Sequence, residues 1–107
     1  RGDEGRAMID AGSLALSQDR GAPDQSGQHA FGMAVDLAGK ALPGQPRVRQ
    51  TNQEHGFLPG LVEAPQIGQR LRILPNHACA TAAAYDCYHV IDENGEIIDT
   101  WQRTKGW

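Results

Sequence analysis

The sequence has few cysteines, few aromatic residues and no long apolar run. Because Cys79 and Cys87 are the only cysteines, a disulfide framework is not indicated and a reducing cytoplasm is the expected setting. Phe, Trp and Tyr make up 6% of the chain, which leaves little material for an aromatic binding groove. No apolar stretch approaches the roughly 20 residues that a membrane-spanning helix requires.

Basic side chains are also scarce. Ten Lys and Arg residues stand against 13 Asp and Glu residues, so the formal net charge is −3. No cluster of Lys and Arg with interleaved aromatic residues is present. We therefore expect neither a nucleic-acid partner nor a membrane partner.

Glycine and proline, by contrast, divide the chain into short segments. A chain of 107 residues with 13 Gly and 6 Pro fits one domain with a modest core. The apolar alternation between turns predicts six or seven short strands, including one through Leu14 and Leu16. Asn94-Gly95 between two alternating runs predicts a hairpin, while no structure is predicted for most of residues 18–46.

One short helix is predicted in the Ala-rich segment from Ala80 to Asp86, with Thr81 as its N-cap. Together these elements favour a mainly β fold, as a small β-barrel or a rolled antiparallel sheet with one short helix.

Two metal-binding residue types follow the strand that ends at Pro75. In extended backbone, the side chains of His77 and Cys79 would point to the same face and could reach one ion. Imidazole and thiolate suit zinc, although another divalent metal is also compatible. Two protein ligands are too few for a closed structural site, so such an ion would keep open positions. The ordinary alternative is that Cys79 packs as a small hydrophobic residue.

Other residues support competing interpretations. Glu54 and His55 are candidates for holding the second ring nitrogen of His77 or for contacting a substrate, while Cys87 is interpreted as a bystander. A thiol enzyme would use Cys79 with His77 or His55 as its base. A structural zinc domain would need His55 and His89 to converge on the same ion. A non-catalytic β-barrel binding module is the remaining alternative.

Several blocks, in this order and spacing, resemble the C-terminal domain of the D-serine dehydratase and D-threonine aldolase group. These are metal-activated pyridoxal-phosphate enzymes of the alanine-racemase fold type. The similarity spans nearly the whole chain, and the block around His77 is its most specific part. The blocks are Ile9–Ser17, Gln53–Gly56, Leu74–Thr81, Tyr88–Val90 and Lys105–Trp107.

The resemblance implies that residues 1–107 form a single C-terminal domain of a longer enzyme. Its partners would be its own N-terminal α/β barrel, which carries pyridoxal phosphate on a lysine, a small D-amino acid substrate and a second copy in a homodimer. By motif, His77 and Cys79 would bind the zinc, which activates the β-hydroxyl of D-serine or D-3-hydroxyaspartate for dehydration. Cleavage of a C–C bond, as in D-threonine aldolase, is the alternative, and Cys79 in place of an Asp leans towards dehydration.

Neither lysine of the chain resembles the strand-borne lysine of this fold type. Lys40 lies in a turn-rich connector and Lys105 in the tail. We therefore expect no covalent pyridoxal phosphate and no catalytic residue in this fragment, which alone would be inactive.

Overall fold

The computed structural model describes residues 5–104, so the tail with Lys105 and Trp107 lies outside the described residues. This part of the chain is mainly β, with two short helices. The strands are β1 (Ala7–Ile9), β2 (Gly32–Val35), β3 (Arg47–Val48), β4 (Gln50–Thr51), β5 (Gly56–Leu58), β6 (Arg72–Pro75), β7 (Cys87–Ile91) and β8 (Ile97–Gln102). The helices are α1 (Ser13–Leu16) and α2 (Ala78–Ala83).

The strands form three antiparallel sheets. Their orders are β1-β5-β4, β3-β2-β6 and β7-β8. Only Arg49 separates β3 from β4, and its backbone N–H donates to the carbonyl of Phe57 in β5 at 3.0 Å. The chain therefore passes directly from the second sheet into the first, which holds the two three-stranded sheets together.

A small apolar core lies where these two sheets meet. Ala34, Val48 and Leu58 have no exposed surface, and Leu16 and Phe31 join them in one buried cluster. Burying a side chain of the size of Val or Leu contributes roughly 1.5–3 kcal/mol. Since Ala34 pairs with Ile73, this core fixes β6, the strand that leads to the candidate site.

The hairpin predicted around Asn94-Gly95 is confirmed as β7 and β8. Asp92 Oδ1 accepts the backbone N–H groups of Asn94 and Glu96 at 2.8 and 2.9 Å, which closes the turn. All six residues of β8 are exposed. The hairpin therefore leaves large apolar side chains uncovered, among them Tyr88, Ile97, Ile98 and Trp101.

Two parts of the predicted fold class need correction. No closed barrel is found among residues 5–104, because strands of two to six residues end at turns before a continuous hydrogen-bonded ring can form. Eight strands replace the six or seven expected, since the run from Arg47 to Leu58 divides into three.

The single helix of the prediction is also wrong, because α1 occupies the segment that alternates through Leu14 and Leu16. The backbone N–H groups of Ser13 and Leu14 donate to the carbonyls of Asn52 and Gln53 at 2.8 and 3.1 Å. These bonds satisfy the donors that a free helix start would leave unpaired, which local alternation cannot show.

The second helix begins earlier than predicted. Helix α2 starts at Ala78 with His77 at its N-cap, whereas Thr81 lies inside it and donates its N–H to His77 O at 3.1 Å. Neither helix in residues 5–104 has the length and apolar character needed to cross a membrane.

A substitution at Gly12 tests the contact that starts α1. A Cβ at Gly12 would lie 2.5 Å from the carbonyl oxygen of Gln53 and 2.6 Å from that of Asn52. We expect Gly12→Ala to lower the free energy of unfolding of the chain by roughly 3 kcal/mol through overpacking, as measured by urea denaturation.

Gly39→Ala is the matched control, because its Cβ would meet nothing within 4 Å although its φ is +82°. It should cost only about 1 kcal/mol, the penalty of a left-handed backbone. An equal or smaller loss at Gly12 would show that the contact with the β4–β5 loop is not what restricts this position.

Candidate metal centre

The antiparallel pairing of β2 and β6 places the candidate site. Gly32 pairs with Pro75 at the end of β6, after which Asn76 leads into the N-cap residue His77. Cys79 follows in the first turn of α2. Contacts between α1 and α2 bring the segments around residues 13–16 and 78–83 together.

Asn76 ties this corner to a loop far away in sequence. Its Nδ2 donates to the carbonyl of Arg20 at 3.0 Å and also to the carbonyl of Ala30. Its backbone N–H donates to the carbonyl of Phe31 at 3.2 Å. The loop from residue 19 to residue 31 is therefore fixed against the residue that precedes His77.

The same loop supplies a partner for the imidazole of His77. Its Nδ1 lies 2.7 Å from Oδ2 of Asp19. An ionised carboxylate can only accept, so Nδ1 is the donor, and in the neutral imidazole Nε2 then keeps its lone pair. The backbone N–H of Gly21 and the imidazole of His77 hold the pKa of Asp19 below its ordinary value.

Cys79 is an exposed free thiol. It borders a cavity of about 460 Å³ that Cys87, Tyr85 and Tyr88 also line. Cys87 is a half-buried free thiol. Because it lines the same cavity as Cys79, it does not lie in a separate context. Two thiols with no disulfide between them are compatible with either one acting as a thiolate ligand.

The expectation of extended backbone at both candidate ligands is wrong for Cys79, which is helical. His77 keeps non-helical angles of φ −121° and ψ 89°. The donor set still suits a zinc ion, since His77 presents a free Nε2 and the thiol of Cys79 is accessible. Within residues 5–104, no three His, Cys, Asp or Glu residues are grouped to hold a metal.

The absence of such a group argues against a structural zinc domain within the described residues. A structural zinc domain would need His55 and His89 beside the first two ligands, but His89 instead lies on the hairpin, with Nδ1 3.4 Å from the Thr100 hydroxyl. An ion at His77 and Cys79 would therefore have to complete its coordination with other groups.

Glu54 and His55 lie at the tip of the β4–β5 connection. The side chain of Asn52 accepts their backbone N–H groups at 3.1 and 2.7 Å, which shapes this turn. In the part of the chain that the structure describes, neither side chain forms a hydrogen bond or ion pair with His77. Asp19, and not Glu54 or His55, holds the second ring nitrogen.

A second cavity of about 390 Å³ adjoins this turn. Arg20 and Phe31 line it, with the guanidinium carbon of Arg20 5.5 Å from the ring centre of Phe31. Asn52 and Gln53 line it as well. Neither Glu54 nor His55 lines this cavity or the cavity beside Cys79.

The thiol-enzyme alternative needs a base in contact with the nucleophile. Among residues 5–104, no hydrogen bond joins Cys79 to His77 or His55. A nucleophile role for Cys79 therefore has no base in hydrogen-bond contact among the described residues.

The sequence did not indicate a role for Asp19 or Asn76. It also did not indicate that Cys87 lines the same cavity as Cys79. Asp19 lies 58 residues from His77, in a polar loop with no regular structure. The only local signal is the turn that Asp19 forms with Gly21, which is typical of Asp before Gly and indicates no particular function.

Comparison with protein families gives one match that covers most of the chain. Residues 1–91 match the family described as "Putative serine dehydratase domain".

Two curated relatives are similar over nearly the whole chain. The D-threo-3-hydroxyaspartate dehydratase of Delftia sp. is 42% identical over 98% of this chain and 29% of its own length. The D-serine dehydratase of Dictyostelium discoideum is 36% identical over 94% of this chain and 26% of its own length. The chain thus spans less than a third of the length of these relatives.

Solved structures of similar proteins also match nearly the whole chain. The structure of the Delftia dehydratase matches with a TM-score of 0.75 at 39% identity, over 100% of this chain and 30% of that chain. Two further structures are mutants of D-threo-3-hydroxyaspartate dehydratase: a cysteine-to-alanine mutant in the metal-free form, and a histidine-to-alanine mutant changed two positions earlier. An alanine-racemase-like protein from Idiomarina loihiensis matches with a TM-score of 0.70 at 39% identity, over 95% of this chain and 28% of that chain.

The stability of the loop that carries Asp19 should depend on pH through the carboxyl group of Asp24. The Ser26 hydroxyl and the Arg49 guanidinium, each 2.6 Å away, hold the pKa of Asp24 far below its ordinary value of 3.8. A depressed pKa stabilises the fold fully above the unfolded value, and this contribution is lost as the pH falls towards the folded value.

A carbon-13 NMR titration of the Asp24 carboxyl should therefore give a midpoint well below 3.8. Ser26→Ala should raise that midpoint, and Arg49→Gln should raise it less, because the hydroxyl has the larger effect. A midpoint at or above 3.8 in the unaltered chain would contradict this account of the loop.

Proposed function

The chain belongs to the serine dehydratase domain family, and from that membership we propose that it is the C-terminal, metal-binding domain of a lyase. The proposed enzyme dehydrates D-β-hydroxy amino acids, with D-serine and D-3-hydroxyaspartate as substrates. Residues 1–107 form one domain in this proposal. The two named relatives are dehydratases, which favours dehydration over the aldolase-type cleavage of a C–C bond.

The observation that carries the proposal is the contact between His77 and Asp19, two residues before the exposed thiol of Cys79. Asp19 occupies Nδ1, so Nε2 is the atom that would bind a divalent metal, together with the thiolate of Cys79. The mutants solved for D-threo-3-hydroxyaspartate dehydratase support this choice. A histidine and a cysteine with the same spacing were changed there, and the cysteine mutant is in the metal-free form.

Each residue has a definite task at the proposed site. His77 would hold the metal as a neutral imidazole, and Cys79 would hold it as a thiolate. Because the described residues provide only these two ligands, positions are left for the β-hydroxyl oxygen of the substrate and for water. When bound, zinc or another divalent ion supplies a Lewis acid that stabilises negative charge on the departing oxygen. Glu54 and His55 remain candidates for contacting the substrate.

The rest of the catalytic machinery is assigned to a partner domain. Lys40 is exposed in a tight turn, where its backbone N–H donates to Asp36 at 2.8 Å, and this supports the expectation that it does not hold a cofactor. Pyridoxal phosphate would be held on a lysine of an N-terminal α/β barrel, where it supplies an electron sink. We also propose that the complete enzyme is a cytoplasmic homodimer, and that the chain alone is inactive.

The ligand assignment is tested in the full-length enzyme. His77→Ala and Cys79→Ala should each remove most of the bound zinc, measured by elemental analysis. They should also slow the release of pyruvate from D-serine or of oxaloacetate from D-3-hydroxyaspartate by at least about 100-fold. The reason is that a Lewis-acid metal contributes several kcal/mol and each 1.4 kcal/mol is a factor of ten.

Cys87→Ala is the matched control, since it removes the other thiol that borders the same cavity. It should retain zinc and activity. Full zinc content in both His77→Ala and Cys79→Ala would refute the assignment, and zinc loss in Cys87→Ala would contradict the claim that Cys79 is the sole sulfur ligand.

A further inference from the structure

We propose that Asp19 is a positioning residue that orients the His77 imidazole for metal binding. This inference rests on the proposed function, since it takes His77 to be a metal ligand. It assigns a role to a loop residue for which the sequence indicates only a turn.

Both carboxylate oxygens of Asp19 are engaged. Oδ2 accepts from Nδ1 of His77 at 2.7 Å, and Oδ1 accepts the backbone N–H of Gly21 at 2.8 Å. The backbone N–H of Asp19 donates to the hydroxyl of Ser17 at 3.2 Å. The carboxylate is therefore held by its own loop and cannot rotate freely away from the imidazole.

The distance between loop and ligand is also fixed. Asn76, the neighbour of His77, donates to the carbonyl of Arg20, the neighbour of Asp19, at 3.0 Å. Gly21 approaches the same amide so closely that a Cβ there would lie 3.1 Å from Nδ2 of Asn76. Two contacts thus join the same two segments. Asn76 binds the backbone of the loop at Arg20, and His77 binds the carboxylate of Asp19.

This arrangement has a chemical consequence at the other ring nitrogen. Accepting the Nδ1 proton selects the tautomer in which Nε2 is unprotonated, and a carboxylate partner increases the basicity of the ligand. Such partners typically account for 10–100-fold in metal affinity.

A purely structural role of Asp19 would predict a loss of thermal stability when Asp19 is replaced. The side chains of His77 and Asp19 are 45% and 47% exposed, and ion pairs this exposed add little to stability. Loss of Asp19 should therefore weaken metal binding without a matching loss of thermal stability.

The experiment measures the zinc dissociation constant of the full-length enzyme by competition with a chelator. Asp19→Ala should raise the dissociation constant 10–100-fold. Asp19→Asn should raise it less, because the amide oxygen can still accept the Nδ1 proton. The melting temperature of the metal-free enzyme should stay within about 2 °C in both variants, because an ion pair this exposed contributes little to stability.

Asp24→Asn is the matched control in the same loop, because Asp24 pairs with Arg49 and not with His77. It should leave the zinc dissociation constant within about threefold, less than the tenfold lower limit expected for losing a partner of a ligand. An equal weakening in Asp24→Asn and Asp19→Asn would overturn the proposal, since loop integrity would then explain both effects. Unchanged affinity in Asp19→Ala would overturn it directly.

These outcomes separate the inference from the proposed function. If His77→Ala loses zinc while Asp19→Ala retains it with unchanged affinity, the ligand assignment stands and the positioning role is wrong. If His77→Ala itself binds zinc with unchanged affinity, the proposed function is wrong at its base. If Asp19→Ala does not fold, the dissociation constant of Asp19→Asn relative to Asp24→Asn decides the question.

Discussion

The hydrogen bonds of one side-chain amide hold the two halves of the candidate site together. Asn76 donates to carbonyl groups near both ends of the loop from residue 19 to residue 31, and this loop has no regular structure. Neither Asp19 nor His77 lies in a strand, so no strand pairing joins their segments, and the contact with Asn76 does so instead. Because a polar side chain can satisfy two backbone acceptors at once, Asn76 ties the loop that carries the carboxylate to the residue that precedes His77.

The rest of the fold keeps Asn76 in place. The core of Ala34, Val48 and Leu58 fixes β2 and β6, and β6 ends immediately before Asn76. The β7–β8 hairpin contributes little to this core and exposes Ile97, Ile98 and Trp101. An exposed apolar surface of this kind is typical of an interface, which supports the proposal that this chain packs against a larger domain.

The sequence predicts those elements whose causes are local. Alternating apolar residues around Asn94-Gly95 specify the hairpin, and the short strands between Gly and Pro turns are largely as expected. Helix α1 could not be predicted in this way, because its first N–H groups are paired with carbonyls of residues 52 and 53.

Prediction of the site is limited for the same reason. The residue types and spacing of His77 and Cys79 indicate a metal ligand pair, but the partner of the imidazole lies 58 residues away. No periodicity or turn pattern in the sequence connects these positions. Long-range contacts between loops depend on the complete fold, and so Asp19 could be identified only from the structure.

The central claim is that one imidazole and one thiolate of this chain bind a metal ion whose other positions remain available. X-ray absorption spectroscopy at the zinc edge of the full-length enzyme tests it most directly. We predict one sulfur at about 2.3 Å and one imidazole nitrogen at about 2.0–2.1 Å, with oxygen atoms as the other neighbours. A first coordination sphere without sulfur, or with two or more sulfur atoms, would contradict the account.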